Sequence, residues 1–300
     1  MKIQGTFGRL AAALVAVACV AGSAVLAQQL AMEPLKDSGS NIYPAYEGWY
    51  QNADGSYTLL MGFYNRNKKQ TLDIPIGPEN RIEPGGPDQG QPTHFVVGRG
   101  WGTVAIKVPK DFGDKKLTWT LTANGKTVAV PFGLTKGYQI EPFLDAAMGN
   151  KPPVFRFSEN GPELTGPPPP LSQAPVVNGA VGENVAIKYW ITDDGHEEPP
   201  TGGSAAAPAP GGAPQGPPRR PRLSTTLTKY RGPGEIKFAD NTPAIEKNMV
   251  NTTATFSLPG EYVIRIEGND SSGVGGGGFQ CCWSTVYLKV NIKAANTGGM

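Results

Sequence analysis

"KLTWTLTANGKTVAVP", residues 116–131, carries the strongest local signal in the chain. Leu117, Trp119 and Leu121 alternate with threonines, Asn124-Gly125 supplies two residues that tolerate positive φ, and Val128 and Val130 resume the apolar period. Alternation on both sides of Asn-Gly predicts a β-hairpin closed by a two-residue turn. The same period recurs upstream. "EGWYQNADGSYTLLMGFYN" (47–65) reads as two strands joined around Asp54-Gly55, and "GTVAIKVP" (102–109) sets Val104, Ile106 and Val108 on one face. It recurs downstream as well, in Val185, Ile187, Tyr189 and Ile191, in Tyr262, Ile264 and Ile266, and in Val286, Leu288, Val290 and Ile292. Forty glycines and 29 prolines in 300 residues interrupt the chain too often for long helices. The expectation is an all-β protein, since strands with one apolar face must stack against others to hide it.

Composition divides the chain. Residues 1–27 read as a secretory signal peptide: Lys2 and Arg9 precede the apolar "LAAALVAVACVAGSAVLA", and Val25-Leu26-Ala27 suits cleavage before Gln28. Residues 28–41 form an N-terminal extension, and 42–148 a first antiparallel β-sandwich. Residues 149–173 read as a Pro-rich linker, with "GPPPPLSQAP" (166–175) at its end. A second sandwich spans 174–294, followed by a tail at 295–300. The Pro/Gly/Ala-rich stretch 197–222 cannot bury a core and reads as a disordered insertion at a loop tip, because strand patterns continue on both sides.

Export fixes several further expectations. Removing Lys2 and Arg9 from 27 basic residues leaves 25 against 25 acidic ones, so the mature chain is formally neutral. The one dense basic cluster, Arg219-Arg220-Pro221-Arg222, lies in the proline-rich insertion, so nucleic acid is not an expected partner. No other segment is long and apolar enough to span a bilayer, and no stable membrane anchor is expected after cleavage. The expected location is periplasmic or extracellular.

Residues fit for chemistry are sparse. There are two histidines, His94 and His196, and neither G-x-S-x-G nor H-E-x-x-H occurs. No enzyme and no cofactor is therefore expected. In "DDGHEE" (193–198), Asp193, Asp194 and His196 offer ligands to calcium if the loop bearing Asp270 meets them, although such a cluster more commonly forms a solvated turn. Trp101, between glycines in "GRGWGT", reads as a loop tryptophan able to stack on a sugar or peptide, with Trp283 as a second apolar contact.

Once Cys19 leaves with the signal peptide, Cys281 and Cys282 are the remaining cysteines. Three fates stay open: a vicinal disulfide, two separate thiols, or a bridge between chains. In one regular strand the two side chains would diverge, so a vicinal ring requires the strand to start after Cys282.

From Lys229 onward, "KYRGPGEIKF" and "NTTATFSLPGEYVIRIEGNDSSG" resemble the polycystic-kidney-disease (PKD) type of immunoglobulin-like domain. Gly232-Pro233-Gly234, Phe238, Ala254, Phe256, Pro259, Gly260, Tyr262, Arg265 and Asp270 carry the likeness. The first half looks like a β-module of unassigned function found beside such domains in exported bacterial proteins. The resemblance implies two immunoglobulin-like sandwiches acting as a binding or scaffolding component of the cell envelope or extracellular space. Its expected partner is an envelope or extracellular protein or a glycan. The alternative is an accessory ligand- or carbohydrate-binding subunit of an extracellular hydrolase system.

Overall fold

The computed structural model describes residues 34–196, 223–278 and 281–295. The expectations for the signal peptide, the insertion at 197–222 and residues 296–300 lie outside the described residues. Those that are described are nearly all β, and no helix among them is long and apolar enough to cross a membrane.

The first strand group comprises β1 (Ile42–Gln51), β2 (Tyr57–Asn65), β3 (Leu72–Asp73), β4 (Asn80–Glu83), β5 (His94–Phe95), β6 (Gly98–Val108), β7 (Leu117–Ala123) and β8 (Lys126–Phe132). Two three-stranded sheets, ordered β1-β2-β6 and β4-β7-β8, face each other, with β3 and β5 paired beside them. The opening hairpin forms as its sequence demands: Asn124 and Gly125 both have positive φ, and Leu121 faces Val128. Leu59, Met61 and Phe63 from β2, Val104 and Ile106 from β6, and Leu117, Trp119 and Leu121 from β7 meet in one buried cluster. A single buried asparagine, Asn80, ties the long β3–β5 excursion to this core. It donates to the carbonyls of Ile74 and Pro92 and accepts from the Trp119 indole at 3.0 Å. Every polar atom of that side chain thus has a partner, as burial requires.

The second group comprises β9 (Val154–Arg156), β10 (Leu164–Thr165), β11 (Val176–Ala180), β12 (Val185–Thr192), β13 (Ser224–Arg231), β14 (Ile236–Phe238), β15 (Met249–Phe256), β16 (Gly260–Asn269) and β17 (Trp283–Lys293). Its sheets are ordered β10-β9-β12-β15-β14 and β11-β17-β16-β13, antiparallel except where β11 runs parallel to β17. Taking β12 to β17 in turn as strands B, C, D, E, F and G, this distribution is compatible with an immunoglobulin-like sandwich. The expected inward faces of β12, β16 and β17 are the ones that fill a second buried cluster, distinct from the first. At the start of β16, Tyr262 donates its hydroxyl to the Leu258 carbonyl at 2.8 Å, the tyrosine corner of such sandwiches.

Residues 149–173 depart from the expected spacer. β9 pairs with β12 and β10 with β9, so this stretch extends the second sheet, and Phe155 is fully buried in the second core. Beyond it, the Gly166 N–H donates to Ser284 Oγ, and the Pro175 carbonyl accepts from the Lys289 N–H. Prolines concealed the strand in sequence: the apolar alternation in "PVFRF" is too short to stand out among them. Phe155 supplies the burial that a free linker would lack.

Tyr262→Phe removes one hydroxyl hydrogen bond and leaves the ring in place. Urea unfolding followed by circular dichroism should show a loss of about 1 kcal/mol with an unchanged native spectrum.

Candidate functional site

The sheet formed by β13, β16 and β17 is covered on both faces. Its inner face carries the second core, while Val263, Arg265, Glu267 and Asn269 of β16 and Trp283, Thr285 and Tyr287 of β17 project outward and are also buried. The first strand group supplies the cover. A β-bulge between Lys229 and Arg231 makes this contact dense. In a regular strand consecutive side chains alternate between faces, but a bulge re-aims them. Here Lys229 Nζ pairs with Asp73 at 3.0 Å, Tyr230 shares its one hydroxyl proton between the Gly90 and Thr103 carbonyls, each at 2.7 Å, and Arg231 grips Asp88 through two nitrogens at 2.8 and 3.0 Å. Tyr287 also donates to the Thr103 carbonyl. Burial pushes the Tyr230 hydroxyl well above its ordinary range and that of Tyr287 up to about 12, so both remain protonated donors at neutral pH.

Beside the tyrosines lies a charged layer. Glu47 of β1 accepts from Arg99 at 2.6 Å and from the Gly102 N–H at 2.7 Å. Burial pushes its carboxyl up to about 7, against the opposing pull of Arg99, that N–H and Arg265. Arg265 donates through Nη2 to the Trp101 carbonyl at 2.6 Å, to Thr285 and to Glu267. Its Nε–H is buried without a partner. A charged donor left in that state costs on the order of 1–3 kcal/mol or more. Together these side chains form a cleft of about 180 Å³ lined from both strand groups, with Arg99, Lys229 and Arg265 as its cations, His94 and Glu267 alongside, and Phe63 as an apolar wall.

The two tryptophans singled out in sequence meet at this seam. Trp101 sits within β6, not in a loop, and is half-buried; the Arg99 guanidinium lies 4.3 Å from its ring centroid. Its neighbouring glycines are required by close packing. A Cβ at Gly100 would come within 2.5 Å of the Phe63 ring, and one at Gly102, whose φ is +47°, within 3.1 Å of the Trp283 ring. Trp283 is 4% exposed, packed with Leu60 and Ile140, and has no face left for a ligand. Gly275, from the glycine run, packs against Trp101: a Cβ there would lie 2.5 Å from the indole.

Cys281 and Cys282 are joined to each other by a disulfide, and β17 begins at the next residue. Both are buried, with their sulfurs beside the Asn150 carbonyl. The strand therefore starts after Cys282, as a vicinal ring demands.

The two loops proposed to share calcium do approach one another: Ser271 Oγ donates to the His196 carbonyl, and Asp270 helps raise the Asp193 carboxyl, whose shift comes first from burial. The Asp270 oxygens are nonetheless engaged by Asn150 Nδ2 at 2.7 Å and by the Ser272 N–H and hydroxyl. Asp193 and Asp194 cap the backbone N–H groups of Gly195 and His196. Among the described residues, no three His, Cys, Asp or Glu side chains converge as a metal-holding group. These side chains organise a turn.

Sequence pattern did not single out Glu47, Arg99, Lys229 or Arg265 as a cluster. The available signals were the unbroken apolar run Leu59-Leu60-Met61 in β2 and "YVIRI" in β16, which mark strands covered on both faces.

No protein-family model matches the chain, and no curated protein sequence does. Among solved structures, the chain is similar to one titled "Anomalous substructure of Titin-A168169", at 11% identity, covering 84% of this chain and 98% of that one, with a TM-score of 0.23.

Two measurements check this geometry. The Glu47 carboxyl is raised in the folded state, so its contribution to stability is complete below its unfolded value and is lost as pH rises through about 7. The melting temperature should fall by roughly 2–6 °C between pH 6 and pH 8. Glu47→Gln should reduce that slope; an undiminished slope would place the titration elsewhere. Separately, a chain beginning at Gln28 and unfolded without reductant should take up no alkylating label at its two cysteines, and two labels after reduction.

Proposed function

We propose that this chain is an exported, non-enzymatic binding or scaffolding protein of the cell envelope or extracellular space, with two immunoglobulin-like domains whose seam contacts the ligand. The observation that carries the reading is the cleft between β6 and β13/β16, to which both strand groups contribute side chains. Its cations are already partnered: Arg99 with Glu47, Lys229 with Asp73 and Arg265 with Glu267. Both oxygens of Glu47 are engaged. Pairs of this kind hold the side chains of the cleft in place, which suits a largely pre-formed binding site.

The PKD type of the second domain is favoured by how its motif residues pack. A Cβ at Gly232 would lie 2.1 Å from the Tyr262 ring, and one at Gly260 would lie 2.8 Å from the Pro233 ring, so the Gly-Pro-Gly turn depends on the residues around the tyrosine corner. Export is favoured by the pattern of residues 1–27 and agrees with a disulfide, which persists in oxidising compartments. The partner is an envelope or extracellular protein or a glycan that inserts a small polar group into the seam.

Fractionation of the native host, with intact mass, should recover a chain starting at Gln28 outside the cytoplasm; a cytoplasmic chain retaining residues 1–27 would refute export. Purified chain should cosediment with isolated envelope material. Thr228→Phe, which fills the cleft from β13 without altering a charged group, should abolish cosedimentation while preserving the melting temperature. Equal sedimentation by a folded Thr228→Phe chain would move the contact away from the seam.

A further inference from the structure

The geometry points to the seam cleft as a site for one neutral sugar ring, with His94 meeting a ring hydroxyl through Nε2. This rests on the cleft being the place of ligand contact. Four observations lead to it.

The first is how His94 is held. Its Nδ1 lies 2.9 Å from Asp73 Oδ1, and the same oxygen meets Lys229 Nζ at 3.0 Å. A carboxylate only accepts, so Nδ1 carries a proton and that edge of the ring is turned to Asp73. His94 lines the cleft, whereas Asp73 does not. Nε2, on the other side of the ring, keeps accessible surface and has no hydrogen-bond partner among the described residues. A hydroxyl suits it in either protonation state, donating to the neutral ring and accepting from the charged one.

The second is a pair of uncommitted hydroxyls. Thr226 and Thr228 line the cleft from β13. They stand opposite Glu267 and Arg265 across the sheet, and those two project away from the second core, so both threonines present their side chains to the seam. Neither hydroxyl is bonded to another described residue or sealed from solvent. Residues two apart on a strand are separated by about 6.6 Å, a span that one sugar ring with its hydroxyls can bridge.

The third is charge. Each cation of the cleft has its own anion: Arg99 has Glu47, Lys229 has Asp73 and Arg265 has Glu267. These pairs leave no charge for a ligand to balance, which favours a neutral one. The fourth is the wall. Phe63, Val96 and Val274 set an apolar surface beside the hydroxyls. A sugar is divided in the same way, with hydroxyls around its rim and C–H groups on its faces that pack against apolar side chains. A cavity of about 180 Å³ admits one such ring. A free monosaccharide and the terminal residue of a glycan share this chemistry.

Isothermal titration calorimetry at pH 7 tests the assignment, using the full chain with glucose, galactose and mannose, each free and as the methyl glycoside, and with propionate as an anion. At least one sugar should bind. Binding of free sugars alone identifies a monosaccharide ligand, and binding of a methyl glycoside identifies the end of a glycan. Propionate should bind more weakly than the sugar. The chain has two histidines, His94 and His196, so long-range proton–nitrogen spectra resolve both rings. The bound sugar should move the His94 Nε2 resonance and leave those of His196 in place. His94→Ala, which leaves Asp73 its pair with Lys229, should weaken the sugar by about tenfold. Thr228→Phe fills the cleft without touching a charged group and should abolish binding with the melting temperature preserved. Silence from every sugar, equal or tighter binding of propionate, an unmoved His94 resonance, or unchanged affinity in a folded His94→Ala or Thr228→Phe chain would overturn the inference. Silent sugars combined with envelope sedimentation that Thr228→Phe abolishes would reject the sugar and leave the seam as the contact surface.

Discussion

Two buried tyrosines, Tyr230 and Tyr287, donate to one backbone oxygen, the carbonyl of Thr103. Their rings lie with centroids 4.7 Å apart, packed with Val263 in a small cluster of their own. A carbonyl has two lone pairs, so one acceptor can fasten two strands of the second sheet to β6 of the first group. Because the sheet is thus covered on its outer face, its outward residues lose water and each must find a partner within the protein. Arg265 and Glu267 find one another, Lys229 finds Asp73 and Arg231 finds Asp88. The charged layer and the cleft beside it follow from that fastening.

The bulge at Lys229–Arg231 makes the arrangement geometrically feasible. Without the extra residue, Lys229 and Arg231 would point to the face opposite Tyr230, and one face of the strand belongs to the second core. An added residue lets three consecutive side chains reach the same neighbour. The glycines beside Trp101 do the complementary work on β6, thinning the strand where Phe63 and Trp283 press against it.

Much of the fold was legible because burial on one face writes period two into a strand. Leu117, Trp119 and Leu121, the Asn124-Gly125 turn, and the inward rows of β12, β16 and β17 all lie as their spacing requires. Legibility failed where a residue's role is set by a segment far away in sequence. Trp101 between glycines looked like a loop, since sequence alone does not reveal that Phe63 and Trp283 occupy the space those side chains would need. Phe155 was hidden among prolines. The cleft was invisible for the same reason: Glu47, Arg99, Lys229 and Arg265 share no local pattern and are assembled by the seam alone. What sequence did offer was the double-sided apolarity of β2 and β16, which says that both faces are covered without saying by what.

The ring formed by Cys281 and Cys282 has a consequence of its own. A cross-link restrains the unfolded chain in proportion to the logarithm of the loop it closes, worth about 3 kcal/mol for fifteen residues. Between adjacent residues it encloses no loop, so the unfolded ensemble scarcely notices it. Its effect is confined to the folded state, where it fixes the backbone at Cys282, with φ of +84°, immediately before Trp283 enters the seam. The bond acts as a local aiming device, and its contribution to stability comes through the folded state and not through loop entropy.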